Sequence, residues 1–258
     1  MNSKKVSVVI PIYNERDNII KLLEEVLKVI DSQAGDEIIL IDDCSTDDSV
    51  KLISEYQNKS DSNIILVQHQ NRSGQSASLL TGIIKANNGS IITLDGDGQN
   101  DPIDIKRMRN VWSENEDNEL LLIIGNRVTR KDSFSKKFAS KLALYIRRII
   151  LKDGTPDTGC GIKLFNKDLF LCLPYFDHIH RFLPALVKRQ GGKIISVPVS
   201  HRSRRGGKSK YTNWQRLRVG IIDLWGVFWL IKRSPFPIKI LDNEVIKHKK
   251  DKEQKWIK

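Results

Sequence analysis

The chain alternates short apolar runs with longer segments in which apolar residues recur at helical spacing. Val6 to Ile10 is almost wholly apolar and is followed by Pro11, whereas Asn18 to Ile30 has apolar residues at every third or fourth position. This pair predicts a buried strand followed by an amphipathic helix. The same alternation then recurs in strands Glu37 to Ile41, Ile64 to Gln68 and Ser90 to Leu94, and in helices Thr46 to Tyr56, Gln75 to Ala86 and one that begins at Pro102.

Strands that lack period-two alternation and are separated by helices are typical of a parallel sheet covered on both faces. The pattern therefore predicts a doubly wound, Rossmann-like α/β domain. Three further strands are predicted at Leu120 to Ile124, Gly161 to Phe165 and Lys193 to Val199, with a basic helix at Ser135 to Ile150. A chain of 258 residues with 40% hydrophobic content can bury one substantial core. We assign residues 1–212 to this single domain.

A second apolar pattern follows the domain, in residues 213–240. Its apolar residues fall at three- and four-residue steps, at Trp214, Leu217, Ile221, Leu224, Trp225 and Phe228. The segment predicts an amphipathic helix, followed by a basic tail at residues 241–258. It is too short, and contains Asp223, to be a segment of about 20 apolar residues that spans a bilayer. Two interpretations remain: a helix that covers the core, or one that lies at a membrane interface.

The formal net charge of +12 predicts an anionic partner, such as nucleic acid, a nucleotide diphosphate or an acidic membrane surface. The basic residues concentrate in the C-terminal half. In residues 202–210 they alternate with Gly and Ser, which suits a loop that closes over phosphates. No aromatic stacking platforms are interleaved with the basic runs, and this disfavours a nucleic-acid-binding protein. Three cysteines without CxxC spacing and an N-terminus without a signal-peptide pattern predict a cytoplasmic protein.

Acidic and polar residues follow several of the predicted strands. In open α/β sheets, ligands bind outside the carboxyl ends of the strands, so these positions are candidates for chemistry. They are Tyr13 and Glu15 after the first strand, Asp42 and Asp43 after the second, and Asp95, Asp97 and Gln99 after the fourth. No GxGxxG, P-loop or GxSxG motif is present, which argues against dinucleotide oxidoreductases, P-loop NTPases and α/β-hydrolases.

The turn Asp95-Gly96-Asp97-Gly98-Gln99 brings carboxylate and amide oxygens together after a buried strand. Hard divalent cations prefer oxygen ligands and are commonly shared between one or two carboxylates and substrate phosphates. The sequence therefore predicts that Asp95, Asp97 and Gln99 bind Mg²⁺ or Mn²⁺.

Several motifs resemble those of the GT-A-fold, family 2 glycosyltransferases. They are Val6–Glu15 (VSVVIPIYNE), Leu40–Asp47 (LIDDCSTD), Asn71–Gly74 (NRSG) and Leu94–Gln99 (LDGDGQ). Three later motifs resemble the dolichyl- or polyprenyl-phosphate hexose synthase branch: Ile124–Arg127 (IGNR), Asp157–Gly161 (DTGCG) and Arg204–Tyr211 (RRGGKSKY). Two departures from that branch are Cys160, where it usually has Ser, and the altered spacing at 206–208.

The resemblance implies roles for individual residues. The nucleotide-sugar would be held by Pro11, Tyr13, Glu15, Ile41, Asp43, Asp95, Gly96, Asp97, Gln99, Arg127, Arg181 and Arg204. Among these, Asp97, Arg127 and Arg204 would be catalytic. The phosphate of the acceptor would lie near Lys136, Ser140 and Lys210.

The implied reaction transfers a sugar, with inversion, from a UDP- or GDP-sugar to a polyprenyl phosphate at the inner face of the membrane, by a peripheral enzyme. A phosphate monoester is already anionic at neutral pH, so this acceptor needs no general base. An alternative acceptor is the hydroxyl of a glycan or lipid, which would need a base. Asp157 is the one candidate for that base, and it fits a structural carboxylate in a turn equally well.

Overall fold

The computed structural model describes residues 5–115, 118–127, 147–202 and 213–233. Within them, the strands are β1 (Val6–Ile12), β2 (Glu37–Asp42), β3 (Ile64–Gln68), β4 (Ser90–Thr93), β5 (Leu121–Arg127), β6 (Lys163–Asn166) and β7 (Lys193–Val199). The helices are α1 (Ile19–Leu27), α2 (Ser49–Gln57), α3 (Gln75–Lys85), α4 (Asp104–Ser113), α5 (Lys167–Leu171), α6 (Ile179–Arg189) and α7 (Asn213–Lys232).

The strands form one sheet in the order β3-β2-β1-β4-β6-β5-β7. All neighbouring pairs are parallel except the two made by β6, which is antiparallel to both β4 and β5. The predicted doubly wound, mostly parallel sheet is confirmed. Because β6 runs the other way, it begins at the edge where the other strands end, and Lys163 pairs with Thr93 there.

Buried apolar side chains lie on both faces of the sheet, as expected for strands without period-two alternation. Along β1, for example, Val8 and Ile10 belong to one core cluster and Val9 to the other. The first cluster includes the buried residues of α1 and α4, and the second those of α3, α5 and α6. The two covered faces leave the edges formed by the strand ends as the place for a site.

Sequence patterns locate most elements to within a few residues. The predicted strands β3 and β7 have the bounds observed, whereas α5 and α6 were not predicted at all. Helix α6 contains Pro184, and a proline inside an apolar pattern normally indicates a helix end. The burial of this helix against the sheet outweighs the backbone hydrogen bond that Pro184 cannot donate. Most of the predicted basic helix Ser135 to Ile150 lies outside the described residues; its final part, together with residue 151, is helical at 147–151.

The C-terminal helix α7 is present, but its described side chains do not form a single apolar stripe. Val227 is buried in the second core cluster, with Leu224 and Phe228 packed beside it, while Trp225 and Trp229 are exposed. The helix is therefore apolar on two sides, and the predicted amphipathic character is not confirmed. Residues 234–258, including the basic tail, lie outside the described part of the chain. No described helix has both the length and the apolar character needed to cross a bilayer.

Candidate active site

A cavity of about 280 Å³ opens at the edge of the sheet where β1, β2 and β4 end and β6 begins. Seven of the residues predicted from sequence line it: Pro11, Tyr13, Glu15, Asp43, Asp95, Gly96 and Asp97. The turns after three separate strands thus converge on one space, as the position rule for open α/β sheets requires.

One wall of the cavity is a stacked pair formed by Tyr13 and Arg72. The Arg72 guanidinium lies 4.1 Å from the centre of the Tyr13 ring. Asp43 fixes the loop that carries Arg72, because its carboxylate accepts hydrogen bonds from the backbone N–H groups of Ser73 (2.7 Å) and Gly74 (2.8 Å). His69 Nδ1 lies 3.0 Å from the same carboxylate. The planar pair offers a surface that suits a nucleobase.

The turn after β1 is tied to the turn after β2. Asn14 has a left-handed backbone (φ 53°), and its side-chain oxygen accepts a hydrogen bond from the Thr46 N–H at 2.7 Å. The backbone N–H of Glu15 donates to Ser49 Oγ at 2.9 Å, and the Glu15 carboxylate accepts from Asn18 Nδ2 at 2.8 Å. These bonds hold Glu15, which is 7% exposed, against the cavity.

The acidic turn lines the same cavity as Tyr13. Gln75 Nε2 donates to Asp95 Oδ1 at 2.9 Å, and the Gln99 N–H donates to Asp97 Oδ1 at 3.1 Å. Burial and the neighbouring charge of Asp97 raise the pKa of Asp95 to about 6. Gly96 is required for the close approach of two turns, since a Cβ there would lie 2.9 Å from the Pro11 carbonyl oxygen.

The donor set of this turn fits a divalent cation that is shared with phosphates. Among the described residues, no group of three or more His, Cys, Asp or Glu side chains could hold a metal ion by itself. Asp95 and Asp97 supply two carboxylates, and their mutual repulsion raises the pKa of Asp95, an effect that a cation would relieve. Gln99 is held by its backbone, with its carbonyl accepting from the Arg202 N–H at 2.9 Å, and it is not a lining residue of the cavity.

Cationic side chains stand on the β5–β6 side. Arg127 Nε and Nη2 donate to the two oxygens of Asp157, at 2.6 and 2.8 Å. Burial alone would raise the pKa of Asp157, but the hydrogen bonds and charge of Arg127 lower it below the ordinary value. Lys163 lines the cavity and donates to the Cys160 carbonyl. Its burial lowers its own pKa, and its charge acts on Asp95.

The remaining predicted residues are placed as follows. Ile41 is fully buried inside β2, so only its backbone can face a ligand. Arg181 lies in α6 and Arg127 at the end of β5, and neither lines the cavity. Arg127 is nevertheless close to it, because its Nη2 lies 3.0 Å from where a Cβ would stand on the lining residue Gly159. Arg204, Lys136, Ser140 and Lys210 lie outside the described residues.

The lining residues that were not predicted as site residues include four with a charged or strongly polar side chain: Arg72, Gln75, Lys163 and His180. The sequence offered a signal for Lys163, because a lysine inside an apolar strand must be buried. No motif in the sequence marks His180, whose Nδ1 lies 2.8 Å from Ser76 Oγ. Burial and the charge of Lys163 lower the pKa of His180 well below its ordinary value, so its ring is neutral at neutral pH.

Comparison with known proteins agrees with this geometry. The family model described as "Glycosyl transferase family 2" matches residues 7–174. The chain is 34% identical, over 92% of its length, to dodecaprenyl-phosphate galacturonate synthase from Rhizobium johnstonii, of which it spans 70%. It is 32% identical, over 81% of its length, to undecaprenyl-phosphate 4-deoxy-4-formamido-L-arabinose transferase from Proteus mirabilis, of which it spans 63%.

A solved structure with a similar fold is glucosyl-3-phosphoglycerate synthase from Mycobacterium tuberculosis, in complex with Mn²⁺, UDP-glucose and phosphoglyceric acid. It aligns with a TM-score of 0.64 at 16% identity, over 88% of this chain and 79% of that one. The fold, the converging turns and the matched sequence lead to one conclusion: the chain belongs to glycosyl transferase family 2 and has the GT-A fold.

Proposed function

We propose that the protein is an inverting glycosyltransferase that moves a sugar from a UDP- or GDP-sugar to a polyprenyl phosphate. The observation that carries the proposal is the cavity in which the Asp95–Asp97 turn faces cationic side chains across the β4–β6 pair. Both relatives described above are named for a polyprenyl-phosphate acceptor, dodecaprenyl in one and undecaprenyl in the other.

The donor would lie with its base on the Tyr13–Arg72 pair and its diphosphate at the acidic turn. Asp95 and Asp97 would hold Mg²⁺ or Mn²⁺, which offsets the negative charge that develops on the leaving diphosphate. Lys163 lines the same cavity, and the positive charges of Lys163 and Arg127 both act on Asp95. Such fixed charges stabilise a leaving anion without proton transfer.

An anionic acceptor agrees with the state of Asp157. Both of its oxygens bind Arg127, and its pKa is lowered, so it is a poor proton acceptor. A hydroxyl acceptor on a glycan or lipid would need a good proton acceptor, which Asp157 is not. A phosphate monoester, already ionised at neutral pH, would not. We therefore assign Asp157 to positioning Arg127.

The proposal is tested by incubating purified protein with radiolabelled UDP- and GDP-sugars, polyprenyl phosphate and Mg²⁺ or Mn²⁺. We expect label in the chloroform phase with at least one donor, and its loss when the metal is chelated. Transfer to glycans or neutral lipids, with none to polyprenyl phosphate, would favour the hydroxyl-acceptor alternative. Tight salt-sensitive binding to DNA or RNA, without any response to nucleotide-sugars, would favour the nucleic-acid-binding alternative.

Four residues outside the described part of the chain complete the proposal on sequence grounds. Arg204 would face the donor and acceptor phosphates, and Lys136, Ser140 and Lys210 the acceptor phosphate. The enzyme would act at the cytoplasmic face of the membrane as a peripheral protein. Fractionation of cells into cytosol, salt-washed membranes and detergent extract tests this location, and recovery in the cytosol alone would contradict it.

A further inference from the structure

Helix α7 carries a stripe of large apolar side chains that the fold leaves uncovered. Ile221, Ile222, Trp225 and Trp229 are 49%, 71%, 61% and 60% exposed. At about 100° per residue, these four positions fall within an arc of about 100° on one side of the helix. We call them the exposed stripe. Other exposed apolar residues, such as Ile84 in α3 and Ile103 before α4, lie on separate elements, which is ordinary for a protein surface.

The adjacent side of α7 fixes the helix on the domain. Val227 is 2% exposed, and Leu224, Phe228 and Ile231 pack with it against the second core cluster. Asp223 lies 3.1 Å from His178 Nδ1, at the start of α6. Rotation of the helix to hide the exposed stripe would therefore uncover this packed side and break the Asp223 contact. The stripe is thus a fixed outer surface.

Its chemistry matches an anionic bilayer. Tryptophan is enriched at membrane–water interfaces, where its ring is partly apolar and its N–H remains hydrated. Basic residues flank the stripe: Arg216 and Arg218 precede it in the sequence, and Lys232 and Arg233 follow it. The whole chain carries a net charge of +12. Two copies paired through this stripe would bring like charges together at the helix ends, whereas acidic headgroups would neutralise them.

Helix α7 is linked to the cavity through the start of α6. Asp223 contacts His178, and two residues further along α6 His180 lines the cavity beside Ser76. From these contacts we propose that the exposed stripe inserts into the interface of an anionic lipid bilayer and so holds the cavity close to the membrane. This inference rests on the proposed function in one respect: the benefit of membrane binding would be access to a lipid acceptor.

Vesicle flotation tests the proposal without donor or acceptor. Wild-type protein is mixed with vesicles of phosphatidylglycerol and phosphatidylcholine, or of phosphatidylcholine alone, none of which contains polyprenyl phosphate. We expect flotation with the acidic vesicles and roughly tenfold weaker partition for the Trp225→Ser/Trp229→Ser variant, since binding scales with buried apolar area and with attraction to anionic lipid. Ile84→Ser, a change at a similarly exposed position on α3, is the matched control and should float like the wild type.

Tryptophan quenching by brominated lipids gives a second measurement. Trp214 and Trp256 are first replaced by Phe, which leaves Trp112, Trp225 and Trp229 of the five tryptophans. We expect strong quenching in this background protein and much weaker quenching when Trp225→Phe/Trp229→Phe is added, because the remaining Trp112 is only 6% exposed inside the core. If the double serine variant does not fold, as judged by circular dichroism, Ile222→Glu replaces it in the flotation assay.

Several results would overturn the proposal. They are failure of the wild type to float, flotation of the variants equal to the wild type, or a dimer in sedimentation that the Trp variants abolish while flotation is unchanged. The last result would assign the stripe to self-association. Stripe-dependent vesicle binding by a protein that transfers no sugar would contradict the proposed function alone, and transfer activity without stripe-dependent binding would contradict this inference alone.

Discussion

The two halves of the sheet carry side chains of opposite charge at the site edge. In β3-β2-β1-β4, carboxylates follow β1, β2 and β4, and Asp43 accepts hydrogen bonds from neutral backbone N–H groups of the loop it holds. In β6-β5-β7, cationic side chains dominate, and Arg127 is paired with a carboxylate of its own half. Under the proposed function, the first half would hold the nucleotide and the second would supply positive charge for its phosphates.

The two halves of the sheet meet at the β4–β6 pair. Burial and the charge of Asp97 raise the pKa of Asp95 in the first half, and Lys163 from the second half lies close enough to act on it. We infer from this difference that the acidic turn is arranged to bind a cation, at a cost to the stability of the metal-free fold. The following predictions separate the contributions of the two halves.

The largest effect is expected from the acidic half. Asp97→Ala should lower kcat/KM by roughly 10³-fold, because it removes a carboxylate that would hold the metal against the developing charge of the diphosphate. The measurement is the radiolabel transfer assay, with Mn²⁺ titrated to saturation. Asp61→Ala, at an exposed carboxylate before β3, is the control and should keep full activity. A folded Asp97→Ala enzyme with normal turnover would contradict the metal assignment.

The second effect tests the cationic half through Arg127 and Asp157. Asp157→Ala should lower kcat by roughly 10²-fold, since a displaced guanidinium no longer meets the phosphates. Asp157→Asn, which keeps one acceptor oxygen for Arg127, should lose less. Because the two residues act as a unit, Arg127→Ala/Asp157→Ala should be no worse than Arg127→Ala alone.

The same variants distinguish positioning from general-base catalysis in kcat measured against pH. A positioning role leaves the shape of the profile unchanged in Asp157→Asn. A general base would make Asp157→Asn as inactive as Asp157→Ala, remove the acidic limb of the profile and make the double variant worse than either single one.

The acidic half could be predicted from sequence because it obeys a simple rule. Its strands are parallel, and β1, β2 and β4 each lead into residues of the candidate site, so apolar runs followed by Tyr13, Asp43 or Asp95 were enough to find it. The alternation of strands and helices predicts parallel strands in this half, and the turns that bring these residues to the cavity are local.

The cationic half could not be predicted in this way, because β6 is antiparallel. Its first residue, Lys163, reaches the site edge, whereas the rule looks only at residues that follow a strand. The pairing of Arg127 with Asp157 joins positions 30 residues apart and depends on how β5 and β6 dock. Strand direction within a mixed sheet is a tertiary property, and no local pattern in this chain specifies it.

The junction of the halves can be tested by a smaller change, Gly161→Ala. A Cβ at residue 161 would overlap the carboxylate of Asp95, so that carboxylate must move. We expect about tenfold weaker binding of UDP with Mn²⁺, measured by calorimetry, since a shifted ligand loses part of the metal site. Gly89→Ala is the matched control, because a Cβ there meets nothing within 4 Å. Equal affinity in both variants would show that the position of Asp95 does not matter for the donor.

The smallest effect concerns stability: replacing Asp95 should stabilise the fold although it removes activity. The pKa of Asp95 rises from 3.8 to about 6 in the folded protein because of its burial and the charge of Asp97. A carboxyl group whose pKa is raised on folding binds more protons in the folded state, so its ionisation destabilises the fold as the pH rises through that window. At pH 7.5 the cost is fully present.

Asp95→Asn should therefore raise the melting temperature of the metal-free protein at pH 7.5 by roughly 2–6 °C, while it abolishes transfer. The gain should shrink as the pH falls from 6 toward 4, where the wild-type carboxyl group is itself protonated. Differential scanning calorimetry in EDTA measures both points. Asp61→Asn supplies the control, for which no gain is expected at either pH. A variant less stable than the wild type at pH 7.5 would mean that the Gln75 and Lys163 contacts of Asp95 outweigh its repulsion from Asp97, and that the acidic turn is not held at a cost.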